Sequence, residues 1–120
     1  MIFIGNDIVE VSRIQSLLER YRSRFLDKNF SYKEINIVNK KRFKSIHFAG
    51  KFSAKEASKK ALLSAGLAKD IYFKDIEILN KKCGAPYVRI KKINMSLFKS
   101  FQISISHTNH HATAIAIIEL

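Results

Sequence analysis

The sequence predicts an α+β fold, a mostly antiparallel sheet packed against a long central helix and shorter helices. Three observations carry the prediction. Runs alternating apolar and polar residues lie near both ends of the chain, residues 45–65 hold apolar residues at helical spacing with Gly50 as their one glycine, and the only proline falls between two β-rich runs. At 120 residues with 47% apolar content the chain is read as a single domain over 1–120.

Residues 1–8 read as a short strand from Ile2, Ile4 and Ile8, with a polar turn at Gly5–Asp7 that puts Asp7 at a strand end. Ser12-Arg13-Ile14-Gln15 has the form of a capping box. It opens a helix whose apolar stripe is Val11, Ile14, Leu17, Leu18, Tyr21 and Phe25, with Arg13, Arg20, Arg22 and Arg24 largely outside it. Ser31-Tyr32-Lys33-Glu34 is a second box, starting a short helix with Ile35 and Val38 as contacts. The central helix follows, with Phe48, Ala49, Phe52, Ala57 and Ala61 for packing and Gly66 near its stop. Residues 71–79 and 87–90 then form a hairpin across a turn at 80–86, and 101–106 with 112–118 form a second one.

Twenty-two Lys and Arg against ten Asp and Glu give a net charge of +12, so the partner is expected to be an anion. Nucleic acid is disfavoured, because the basic residues are scattered and no reading motif for RNA or DNA is present. Cys83 stands alone, which excludes an intrachain disulfide framework and points to a reducing, cytoplasmic setting. The apolar start, Met1–Ile4, is too short for a signal peptide or a membrane span. No Walker loop, nucleophile elbow or dinucleotide fingerprint is present.

Glu56 is the residue out of place, because it shares a helix face with Ala49 and Phe52. An i,i+4 ion pair with Lys60 is the simpler account. The sharper one is a metal ligand beside a phosphate-binding lysine, with Asp7 as the second carboxylate, since magnesium takes oxygen ligands and uses few from protein. Asp7 alone also fits a turn former or a cap. Ser106-His107 closes a strand where side chains reach ligands, whereas His110 and His111 fit a solvent-exposed turn.

Three segments together resemble the holo-[acyl-carrier-protein] synthase family, the small bacterial 4′-phosphopantetheinyl transferases. Gly5-Asn6-Asp7-Ile8-Val9-Glu10 with Arg13-Ile14 is similar to the amino-terminal Gly-x-Asp-Ile-x-Glu signature. The segment from Phe48 to Ala61, with Lys55-Glu56-Ala57 and Lys60-Ala61 inside it, resembles the central helix motif. Ile103-Ser104-Ile105-Ser106-His107-Thr108 resembles the Ser-x-Ser-His strand and turn. Two places depart from the pattern: Lys51 stands where the family carries arginine, and Leu62–Gly66 replaces a Gly-Thr-Gly loop. Lysine lacks arginine's planar fork, so altered coenzyme affinity is expected.

The resemblance implies transfer of 4′-phosphopantetheine from coenzyme A to a serine of apo acyl carrier protein, dependent on Mg2+ and releasing adenosine 3′,5′-bisphosphate. It assigns Asp7 and Glu56 to magnesium, Lys60 to the phosphates and Asp7, Glu56 and Lys60 to catalysis. Lys51, Lys60, Ser106 and His107 fall to coenzyme A, and Arg13, Leu17, Arg24 and Phe25 to docking the carrier. Glu56, or a water carried by the metal, is the base for the carrier serine. A homotrimer with active sites between chains is also implied. The alternatives are a basic nucleic-acid-binding module and a degenerate relative that binds the carrier without catalysis.

Overall fold

In the computed structural model, which describes residues 1–120, strand β1 runs over Ile2–Glu10 without a break. The polar turn expected at Gly5–Asp7 does not form. Strand β5 (His111–Glu119) pairs antiparallel with β1 from Ile2↔Glu119 to Glu10↔His111, and this ladder keeps the turn-forming residues extended. Gly5 is needed there for another reason. A Cβ at that position would lie 2.0 Å from the Ala57 carbonyl oxygen and 2.7 Å from the Ala61 nitrogen, so only glycine lets the strand rest directly on the central helix.

The box expected at Ser12–Gln15 is also absent. Helix α1 (Val11–Asn29) begins one residue earlier, behind an extended Glu10 that makes no side-chain cap. The Val11 N–H donates to the His110 carbonyl at 2.8 Å, so β1 passes into α1 with no loop and its first amide is already paired. Tyr21 leaves helical geometry (φ −136°, ψ 39°) and breaks the helix in the middle. Helix α2 (Tyr32–Asn39) has its expected box: Ser31 Oγ accepts from the Glu34 N–H at 3.3 Å and Glu34 Oε1 accepts from the Ser31 N–H at 2.9 Å.

The central helix α3 (Lys44–Ser64) ends before Gly66, whose φ of +74° turns the chain away. The strand expected from Ile71 starts only at Ile76, as β2 (Ile76–Asn80). Phe73–Asp75 form a short 3-10 turn instead, closed where the Asp75 carboxylate accepts from the Tyr72 N–H at 2.9 Å. β2 pairs antiparallel with β3 (Pro86–Ile90), and β4 (Ser100–His107) pairs antiparallel with β5. The strands therefore form two sheets, β1-β5-β4 and β2-β3. No helix is long and apolar enough to cross a membrane.

Helix α3 is the common wall of two apolar clusters. Ala54, Ala57, Ala61 and Leu62 meet Ile76, Ile78, Val88, Ile90 and the β5 residues Ala114, Ala116 and Ile118. Phe48 and Ala49 meet Ile14, Leu18, Phe25, Phe30 and Val38. The alanines on both α3 and β5 keep the helix close to the sheet.

A charged pair lies inside this packing. Lys55 and Glu34 have side chains with 0% exposure and meet at 2.7 Å. Lys55 also donates to the carbonyls of Phe73, at 2.9 Å, and Ile76, while Glu34 Oε2 accepts from the Ile78 N–H at 3.0 Å. Burial draws the Lys55 pKa down, and Glu34 opposes that. Lys55→Met is expected to destabilise the fold by about 3–5 kcal/mol, since it strands a buried carboxylate. Urea unfolding measures this, and a loss under about 1 kcal/mol would show that the pair does not tie α2, α3 and β2 together.

Candidate active site

The close approach at Gly5 sets the site. Two residues further along β1, Asp7 faces α3, and its Oδ2 accepts from Ser53 Oγ at 3.1 Å. Its Oδ1 lies 3.5 Å from Lys60 Nζ, which also donates to the Asn6 carbonyl at 3.0 Å. From the other side Thr113 Oγ1 donates to the Asp7 carbonyl at 2.8 Å. Ser53 and Lys60 flank Glu56 at spacings of three and four residues, so Asp7 is clasped beside Glu56 on one helix stripe. Glu56 is half-buried and makes no ion pair; Lys60 pairs with Asp7 rather than with Glu56. The simple helix-surface account of Glu56 is therefore not the arrangement found.

Two carboxylates and a hydroxyl form an all-oxygen donor set, and Glu56 has no competing partner, which fits a hard cation that keeps part of its water. No group of three or more His, Cys, Asp or Glu gathers anywhere in the chain, so no transition-metal cage exists. His110 and His111 are exposed, their N–H groups donating to Thr108 Oγ1 at 3.1 and 3.0 Å, and they shape a turn.

Lys51 and His107 meet in a cleft of about 90 Å3 between α3, β2 and the end of β4. Lys51 is 6% exposed, and its ammonium donates to the Ile78 carbonyl. Burial lowers its pKa to about 8, with Glu34 opposing and Lys55 and Lys41 adding to the fall. Ser106 does not share this cleft, because successive strand residues point to opposite faces. It lines a shallow depression of about 140 Å3 on the outer face of the sheet, with Asn6, Ser104 and Thr113.

Arg13, Leu17, Arg24 and Phe25 are brought together. They line a groove of about 430 Å3 along the broken helix α1, with Tyr21 and Phe52 completing its walls. Phe52 joins helix and groove: its ring lies 6.0 Å from Phe25, 5.1 Å from Phe73 and 5.9 Å from the Arg13 guanidinium.

Ser53 and Phe52 were not singled out as functional from the sequence. Ser53 was legible in principle, since it completes the stripe of Glu56 and Lys60, but a serine in a helix carries no signal of its partner. Phe52 fits the core stripe equally well.

A family model described as the 4′-phosphopantetheinyl transferase superfamily matches residues 3–116. The holo-[acyl-carrier-protein] synthase of Protochlamydia amoebophila is 44% identical over 116 residues, covering 95% of this chain and 94% of that protein. That of Thermoanaerobacter sp. is 40% identical, covering 97% and 86%. Among solved structures, the Helicobacter pylori holo-[acyl-carrier-protein] synthase in complex with coenzyme A superposes with a TM-score of 0.83 at 35% identity, covering 97% of this chain and 99% of that one. The Bacillus anthracis holo-(acyl-carrier-protein) synthase in complex with CoA (3′,5′-ADP) reaches 0.79 at 29% identity, covering 98% and 95%. With the family model spanning nearly all of the sequence and full-length relatives at this identity, the chain belongs to the 4′-phosphopantetheinyl transferase superfamily.

Proposed function

We propose that this chain, as a single transferase domain over 1–120, moves 4′-phosphopantetheine from coenzyme A to a serine of apo acyl carrier protein. The observation that carries the reading is the clasp of Asp7 by Ser53 and Lys60 beside an unpaired Glu56. In the reaction the serine hydroxyl oxygen bonds to the phosphorus that bears pantetheine, the bridging P–O bond of the pyrophosphate breaks, and adenosine 3′,5′-bisphosphate leaves with the electron pair. Such transfers depend on positioning and charge stabilisation more than on covalent chemistry by the protein. Asp7 and Glu56 would hold Mg2+, which when bound supplies charge neutralisation for the pyrophosphate. Lys60, half-exposed at the rim, offsets the charge gathered on the leaving phosphate. A Glu56 carboxylate oxygen not taken by the metal would accept the serine proton. Lys51 and His107 line the cleft assigned to the coenzyme, and the lone exposed thiol of Cys83 suits a reducing cytoplasm.

Incubation with apo carrier, coenzyme A and magnesium, followed by mass spectrometry, should show addition of phosphopantetheine; no transfer under any magnesium or manganese condition would reject the reading. Asp7→Asn and Glu56→Gln should stay folded and lose at least about 100-fold in kcat/KM, with the double variant little worse than either because the two act as a unit. Near-normal activity with unchanged magnesium dependence would remove the shared-metal assignment.

The α1 groove is the docking face for the carrier, because Arg13 and Arg24 flank apolar Leu17 and Phe25, a surface that complements an acidic, partly apolar helix. Arg24→Glu should raise the KM for the carrier by about tenfold and leave that for coenzyme A within about twofold. Equal effects on both would count against this face.

A homotrimer with active sites between chains is supported by the outer face of the β1-β5-β4 sheet. Ile2, Ile4, Ile8 and Ile115 are 58%, 58%, 66% and 39% exposed there, and nothing in the chain covers them. Ser106 sits on the same face, so it would reach a coenzyme held by an adjoining copy rather than its own. Light scattering should give three times the 13.8 kDa chain mass. Ile4→Asp should yield an inactive monomer, and an active wild-type monomer would overturn the assembly.

A further inference from the structure

The cleft that holds Lys51 and His107 contains a third basic group which the reaction above does not use. His47 lies on α3 one turn before Lys51 and lines the same space, opposite Asn80 and Pro86 at the β2–β3 turn. The charged groups facing it come from three directions: Lys51 on its own helix, His107 at the end of β4, and Lys41 from the segment between α2 and α3. None is acidic. Burial, and then the charges of Lys41, His107 and Lys51, hold the His47 pKa below its ordinary 6.5. The neutral imidazole is therefore favoured, and an anion seated among the three basic groups reverses the balance.

Coenzyme A carries two kinds of phosphate. Its pyrophosphate keeps a fixed charge across neutral pH and belongs beside Asp7, Glu56 and Lys60 of an adjoining copy, because these residues and the cleft lie on opposite flanks of one helix. Its 3′-phosphomonoester has a second pKa near 6 and is almost wholly a dianion above pH 7. A small cleft with one buried ammonium and two imidazoles matches that dianion in charge and in hydrogen-bond donors. Because Lys51 spends part of its donor capacity on the Ile78 carbonyl, the cleft needs a further donor to meet the monoester oxygens. We propose that His47 is a specificity-determining residue, which takes up a proton when the phosphomonoester of coenzyme A enters this cleft and so ties coenzyme selection to pH. The inference rests on the coenzyme A reading given above.

Isothermal titration of the full chain at pH 7.5, in buffers of differing ionisation enthalpy, counts the protons bound with the ligand. Coenzyme A should bind with net proton uptake, and dephospho-coenzyme A, which lacks the monoester, should bind with none. His47→Gln should lose at least about half of the uptake and bind coenzyme A roughly tenfold more weakly, as loss of a charge-assisted contact predicts. In the unaltered protein, the imidazole NMR signals of His47 should shift towards the protonated form on adding coenzyme A, a readout independent of any variant. Uptake equal in the two proteins, uptake undiminished with dephospho-coenzyme A, or unmoved His47 signals would each overturn the proposal. A chain that transfers phosphopantetheine but shows any of these results loses the role of His47 alone. One that binds neither nucleotide and transfers nothing loses the function as well.

Discussion

Strand β2 has only one neighbouring strand, and the arrangement of α3 depends on how its other edge is closed. Unpaired strand edges carry backbone groups that must find partners when buried. Here side chains supply them. The Ile76 and Ile78 carbonyls accept from Lys55 and Lys51, and the Ile78 N–H donates to Glu34. Two lysines one helical turn apart are spaced by roughly 6 Å, and two carbonyls on the same side of a strand by roughly 6.6 Å, so the helix matches the edge it covers. Glu34 then balances the charge that the lysines carry inside. The buried ion pair is thus less a strength added to the core than the way an edge strand is finished by a helix.

The same helix meets a different edge on another face. Gly5 lets β1 lie against Ala57 and Ala61, and the stripe next to that contact bears Ser53, Glu56 and Lys60. Helix α3 therefore holds two strands from two sheets at fixed heights. The carboxylates and the Lys51–His47–His107 cleft are two positions along one rigid rod. A change that loosens either strand moves these two groups of side chains relative to each other, although no loop is involved.

What could be read from the sequence divides along the range of the forces. The long helix, both hairpins and the box at Ser31 were legible because their signals are periodic or lie within a few residues. Gly5-Asn6-Asp7 reads as a turn by local chemistry and is strand because β5 and α3 impose it. The Ser12 box fails for the same kind of reason, since β1 enters the helix already paired through His110. In the site, Asp7, Glu56 and Lys60 were visible as a set from motif resemblance, yet the pairing within it was not. Lys60 serves Asp7, and the partner that its helix position suggested, Glu56, is left free. Lys55 passed unremarked inside its motif because its acceptors lie on α2 and β2, and nothing near it in sequence announces them.

The union of β1 with β5 has a consequence for how the molecule comes to exist. Thr113 reaches the Asp7 carbonyl across 106 positions of chain, and β5 is the one strand that pairs with β1. Contacts so distant in sequence carry the entropy cost of closing a long loop, which slows folding. During synthesis Asp7 emerges long before Ser53, Glu56, Lys60 and Thr113, so its carbonyl cannot meet Thr113 until nearly the whole chain has been made. Until then a segment of alternating isoleucines waits without its partner, the kind of surface that invites association between unfinished chains. The charge of +12 works against that encounter, because the nascent chains repel one another while the strand is still open.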